Sequence, residues 1–202
     1  MATLSGTYLY PVKSCAAVSV QQAGVEARGL EGDRRWMIVD ADGRFITGRE
    51  QPRLTLVRAR IVESGLMLSA PDLPEILVRQ PESDQTRAPV IVWNSEVQAL
   101  PAAPQANEWI SHFLGMPATL VYQDAAARRP IGSSRVRPED EVSFADAYPM
   151  LLISEASLSG LNQRVGRALS MLRFRPNLVV SGTLAHAEDD WTHIRIGKVE
   201  FE

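Results

Sequence analysis

A chain of 202 residues, 45% hydrophobic and 22% charged, has the make-up of a globular protein able to bury a real core, as one large domain or two small ones. Its formal charge of −3 argues against a general nucleic-acid binder, which needs a net basic face. Local clustering can still build a positive pocket for a small anion inside an acidic chain.

The first ten residues lack the basic start and long apolar run of a secretory peptide. No apolar stretch approaches the roughly 20 residues needed to cross a bilayer, so no membrane partner is expected. One cysteine, Cys15, cannot form an internal disulfide and fits a reducing compartment. The cytoplasm is the expected location.

In chain order, Leu4, Gly6, Tyr8 and Tyr10 alternate with polar or small residues until Pro11 ends the run. Residues 36–40 and 44–47 flank Ala41-Asp42-Gly43, which predicts a hairpin. Residues 54–61 and 66–69 flank Ser64-Gly65 and predict a second. Residues 90–93 and 97–100, around Asn94-Ser95-Glu96, predict a third. The first half therefore reads as a curled antiparallel sheet or barrel.

One stretch is plainly helical: Ala106, Trp109, Ile110, Phe113 and Leu114 share one face, and Gly115 then Pro117 stop it. Residues 123–140 lose periodicity and read as a connector. The second half opens with a buried-strand pattern at 150–153. Ser154 then caps a helix with Leu158, Leu161 and Val165 at helical spacing, and Gly166 ends it. Residues 177–181 form another apolar strand. Ile194 and Ile196, then Val199 and Phe201, alternate about a II′-type turn at Gly197-Lys198. The expected class is mainly β (α+β): a β-barrel-like domain over residues 1–123 with one packed helix, a connector over 124–140, and a second domain over 141–202.

No Walker or Rossmann glycine loop, no zinc-type cluster and no Gly-x-Ser-x-Gly elbow occurs, and His112, His186 and His193 are scattered. What remains suits an anion. The helix opening at Ser154 offers free N–H donors and the positive end of a dipole, with Ser157 one turn on. The plainer reading of Ser154 is a helix cap and nothing more. Lys13, Arg34-Arg35, Arg49, Arg173 and Arg175 sit in short polar turns, and each alone reads as a solvated charge. Cys15 beside Lys13 is either an activated thiol or, more commonly, a small buried apolar group.

Several blocks then carry a family resemblance. Tyr10-Pro-Val-Lys-Ser-Cys15, Arg28-Gly-Leu-Glu-Gly-Asp-Arg-Arg-Trp36 and the Thr-Gly-Arg-Glu-Gln-Pro-Arg-Leu run at 47–54 resemble the N-terminal β-barrel domain that accompanies MOSC domains. Phe144-Ala-Asp-Ala-Tyr-Pro149, Ile153-Ser-Glu-Ala-Ser-Leu-Ser-Gly-Leu-Asn162, Phe174-Arg-Pro-Asn177 and Ala187-Glu-Asp-Asp-Trp191 resemble the start of the MOSC domain. The resemblance implies an incomplete first part of a MOSC β-barrel after the N-terminal domain. It implies molybdenum cofactor (molybdopterin) binding and reduction of N-hydroxylated compounds, with electrons from a donor protein. It further implies that Lys13, Ser14 and Arg34 face the pterin and its phosphate, and that Ser154, Ser157, Arg175 and Asn177 help hold it.

In the family the metal-ligating cysteine lies in a Cys-x-x-Cys-type segment after the strand matching 199–201, and the chain ends at Glu202. The expectation is thus a truncated chain without its metal ligand and without redox activity, Cys15 not matching that position. The alternatives are a non-catalytic pterin or phosphate carrier, and a degenerate structural fragment that self-associates through an open C-terminal strand edge.

Overall fold

The computed structural model describes residues 2–133 and 136–202. Its first half runs β1 (Thr3–Leu9), β2 (Val18–Ser19), β3 (Val25–Glu26), β4 (Gly29–Leu30), β5 (Trp36–Val39), β6 (Arg58–Val62), β7 (Gly65–Ser69), β8 (Ile76–Arg79), β9 (Ala88–Val92), β10 (Ser95–Pro101), α1 (Pro104–Leu114) and β11 (Thr119–Tyr122). The second runs β12 (Leu152–Ser154), α2 (Glu155–Val165), β13 (Leu178–Ser181), β14 (Ile194–Ile196) and β15 (Val199–Phe201). Among the described residues the protein is mainly strand with two α-helices, as its alternation and its two stretches of helical spacing predict.

A four-stranded sheet of order β5-β11-β10-β9 and a meander β6-β7-β8 enclose the main core with α1. All five residues of the predicted α1 face are buried, and Gly115 ends the helix at φ 70. Trp109 keeps its indole N–H satisfied by donating to Pro74 O at 2.8 Å.

The hairpins form with altered limits. β6 and β7 pair across two residues, but the strand starts at Arg58 because Pro52 opens a 3-10 turn over Pro52–Leu56. β5 turns at Gly43, yet its ladder partner is β11. Its return arm offers only a bridge from Phe45 to Val39. β9 and β10 close over Trp93-Asn94 alone, which puts Trp93 at φ 53. β14 and β15 pair across Gly197-Lys198, with Gly197 at φ 61. A bulge between Leu4 and Gly6 shifts the β1 alternation, so Thr7 and Leu9 face inward while Leu4 is exposed.

Gly65 shows how tight the meander is. It sits at φ 143, where an added Cβ would lie 2.1 Å from Val78 O. Gly65→Ala is expected to destabilise by roughly 1–3 kcal/mol, read as a lower urea midpoint with unchanged slope.

The second sheet has order β12-β13-β1-β2. β12 and β13 are parallel and joined through α2, while β1 runs antiparallel to β13 on its other side. The N-terminal strand therefore completes the sheet of the second half. Between the halves, Arg28 donates to Asp124 O at 2.7 Å, Ala125 O at 3.1 Å and Glu141 Oε2 at 2.6 Å. Buried Arg129 donates to Ser143 O at 2.8 Å, Ala145 O at 2.5 Å and Asp146 O at 3.2 Å. These two guanidiniums satisfy backbone carbonyls that no strand pairs. They fix the segment that forms one wall of the site.

Candidate functional site

A cleft of about 710 Å³ opens where the loops after β1, before β5 and between β9 and β10 meet residues 145–151 and 172–177. Lys13, Ser14, Arg34, Arg175 and Asn177 all line it, so five of the seven expected residues converge. Local folding explains their placement. Buried Val12 and Cys15 anchor the Lys13-Ser14 turn, and Lys13 N–H donates to Trp36 O at 2.8 Å. Arg34 N–H donates to Tyr10 O at 2.8 Å. Arg175 closes the 3-10 turn over Met171–Phe174, its N–H donating to Leu172 O at 3.2 Å.

Backbone strain gathers here. Of six described non-glycine residues at positive φ, four line this cleft: Ser14, Arg34, Trp93 and Arg175. Each such conformation costs about 1–3 kcal/mol, and such costs cluster where function over-determines the chain.

The floor is an arginine pair over one ring. The guanidinium carbons of Arg34 and Arg175 lie 4.4 and 4.2 Å from the Tyr10 ring centre. Asp33, 1% exposed, accepts from Tyr10 N–H at 2.7 Å and from Arg34 Nη1. Arg34 also donates to Asn177 Oδ1 and to Arg175 O, both at 3.0 Å. Asn177 Nδ2 donates to Tyr8 O at 3.1 Å, so Asn177 spends its amide orienting others. Arg175 Nη1 donates to Cys15 O at 2.8 Å, whereas buried Nη2 has no partner among the described residues. Burial, then the neighbouring Arg34 charge, lowers the Arg175 pKa. Burial pushes the Tyr10 phenol up to about 12 against the pull of both arginines.

Lys13 forms the second station. Its buried Nζ donates to Phe144 O at 2.7 Å and Asp146 Oδ1 at 2.5 Å. It lies 5.2 Å from the Phe45 ring centre and 5.9 Å from that of Trp93. Burial lowers its pKa to about 8, with Asp146 opposing. The folded value lies below the ordinary 10.5, so charged Lys13 weakens the fold, and its contribution to stability rises between about pH 8 and 10.5. Anion affinity moves the other way: phosphate binding is expected to weaken as pH climbs through about 8. Lys13→Arg should flatten that profile in calorimetric titrations, because Arg keeps its proton.

Ser154 and Ser157 are not brought into this cleft. Ser154 Oγ caps α2, accepting from Ser157 N–H at 3.0 Å, and the two hydroxyls share a 2.7 Å bond. Ser154 N–H donates to Glu188 Oε1 at 2.8 Å, and Ser157 Oγ accepts from His186 N–H at 2.7 Å. The anion at this helix start is the chain's own Glu188. Burial opposes its ionisation, but bonds from Ser157 and Ser154 outweigh that and lower its pKa. The structure thus gives both serines partners within the chain and leaves them outside the lining of the cleft that holds Lys13.

Cys15 is a core residue: fully buried, its thiol pushed up to about 12 by burial, with only its carbonyl turned to Arg175. Sequence reading missed Asp33, Phe45, Trp93, Arg129 and Asp146. Both carboxylates stand inside blocks already singled out, Asp33 next to Arg34 and Asp146 two residues from Phe144 and from Tyr148. Among the described residues, no group of three or more His, Cys, Asp or Glu is placed to hold a metal ion. No described helix is long and apolar enough to cross a membrane.

The architecture defines a strand-rich protein whose two halves share a basic cleft. Its sequence matches the MOSC N-terminal beta barrel domain over residues 1–117 and the MOSC domain over residues 139–202. The chain belongs to the MOSC family. It is 35% identical to mitochondrial amidoxime-reducing component 1 of Xenopus laevis over 96% of this chain and 60% of that one. Identity to the same component of Danio rerio is 36%, over 96% and 62%. The chain thus spans about three fifths of the length of the curated relatives it matches. A solution structure of a protein from Bordetella bronchiseptica aligns at TM-score 0.47 and 20% identity, over 58% of this chain and 88% of that one.

Proposed function

We propose that the cleft holds the phosphorylated pterin of the molybdenum cofactor, in the service of reducing N-hydroxylated compounds. Family membership and relatives named amidoxime-reducing components support the reading. One observation on this chain carries it: the buried, unpartnered Nη2 of Arg175, in a cleft with five basic side chains against the single carboxylate of Asp146 among the described residues. An unsatisfied buried guanidinium donor costs about 1–3 kcal/mol, and a phosphate oxygen would satisfy it.

In this reading Arg175 and Lys13 bind the phosphate, Ser14 offers a hydroxyl, and Arg34 supplies field while Asp33 and Asn177 hold it in place. The bound cofactor would supply redox chemistry at molybdenum. The residues fit the phosphate and not the metal, since the Cys15 thiol points into the core. A second reading, a pterin-holding chain without redox turnover of its own, is separated from the first by the molybdenum measurement below. A cytoplasmic setting, an electron-donor protein and self-association along the β14–β15 edge complete the proposal, the last tested by sedimentation.

The test loads the purified chain with molybdopterin, removes excess, and measures retained pterin by fluorescence after oxidation, with molybdenum by mass spectrometry. Retention by the wild type, lost in Arg175→Ala, is the expected result. Equal retention by both, or none by the wild type, sinks the reading.

A further inference from the structure

We propose that Asp146 is an internal counter-anion of the cleft: it holds Lys13 while no ligand is present, yields it to an incoming oxyanion, and so selects for anions of more than one charge. The proposal rests on the anion-binding reading above and gives a role to a residue which that reading leaves unused.

The two partners of Lys13 Nζ differ in kind. Phe144 O belongs to a backbone segment pinned by Arg129, which donates to the carbonyls on either side of it and beyond. Asp146 offers a side chain that is 68% exposed, against 6% for Lys13. One partner is fixed and the other is free to leave. Asp146 Oδ1 accepts from both Lys13 Nζ and Trp93 Nε1, the latter at 3.2 Å, while its Oδ2 accepts from no described residue. Asp146 is also the one carboxylate among the described cleft-lining residues, which include Lys13, Arg34, Arg49, Arg173 and Arg175.

Physical chemistry supplies the rest. A lysine this buried is costly without an anionic or hydrogen-bonding partner, so a placeholder stabilises the empty cleft. An oxyanion seeking Lys13 meets a carboxylate already there, and two like charges cannot share the site cheaply. A monoanion would replace one carboxylate by its equivalent and gain little. A dianion can take Lys13 and the spare Nη2 of Arg175 together. Selectivity arises from the competitor as much as from the attraction. Trp93, strained at φ 53 and tethered to the same Oδ1, would sense the departure of the carboxylate.

The experiment titrates the wild-type chain and Asp146→Asn with inorganic phosphate and with acetate by calorimetry. In parallel, the indole ¹⁵N–H resonance of Trp93 is followed, assigned by its loss in Trp93→Phe. Asp146→Asn should bind phosphate about tenfold tighter, equivalent to about 1.4 kcal/mol, and should gain acetate binding that the wild type lacks. In the wild type, phosphate should shift the Trp93 resonance. A folded Asp146→Asn that binds phosphate equally or more weakly overturns the proposal while leaving the anion cleft intact. A wild-type Trp93 resonance unmoved at saturating phosphate does the same, and it decides alone if the variant fails to fold. Absence of phosphate binding in both proteins overturns the proposal and the cleft reading together.

Discussion

Asp33→Ala is expected to lower stability by about 3–5 kcal/mol, the largest loss from any single side chain at the site. Asp33 is 1% exposed and bridges Arg34 Nη1 to the Tyr10 backbone N–H. Its removal strands a buried guanidinium beside a second one, since Arg175 shares the Tyr10 ring. It also leaves a buried N–H without an acceptor. Asp33→Asn keeps an oxygen for Tyr10 and should recover part of the loss. Urea unfolding of the two variants checks this; a loss below about 1 kcal/mol for alanine would show that Arg34 is compensated from elsewhere.

Arg175→Ala is expected to weaken phosphate binding by roughly 10- to 150-fold, the span of a charge-assisted hydrogen bond worth about 1.5–3 kcal/mol. Arg175→Lys should fall between, because an ammonium keeps the charge but cannot hold Cys15 O with one nitrogen while presenting another to the ligand. Stability is expected to change far less than affinity, since losing Arg175 also relieves its repulsion with Arg34. Calorimetric titration with thermal melts separates the two effects. A variant that melts early but binds normally would make Arg175 a structural residue.

The α1 face and both α2 caps were legible because helical spacing and a terminal glycine are local signals. The β6–β7 hairpin was legible for the same reason. The pairing of β1 with β13 was not, because nothing local in residues 3–9 names a partner so distant. The site divides the same way. Lys13, Ser14, Arg34, Arg175 and Asn177 could be named from blocks of sequence, but their convergence required the fold. The partner of Ser154 was not legible for a physical reason: a free helix start and one facing Glu188 look identical until residues 34 positions apart are placed together. Trp93 was hidden by its turn, where a positive φ would ordinarily call for glycine or asparagine.

The pairing of β1 with β13 has a consequence for biosynthesis. Ser5 donates to Val179 O across a separation of 174 residues. At about 5–20 residues per second, the opening strand would leave the ribosome on the order of 10–35 s before its partner is made. Through that interval the edge of β1 that meets β13 lies open to solvent or to a chaperone, and the sheet closes only after residue 181 has been added. Slowing the ribosome late in the message would prolong that exposed state and favour aggregation, whereas the α1 core, complete by residue 122, would already be assembled.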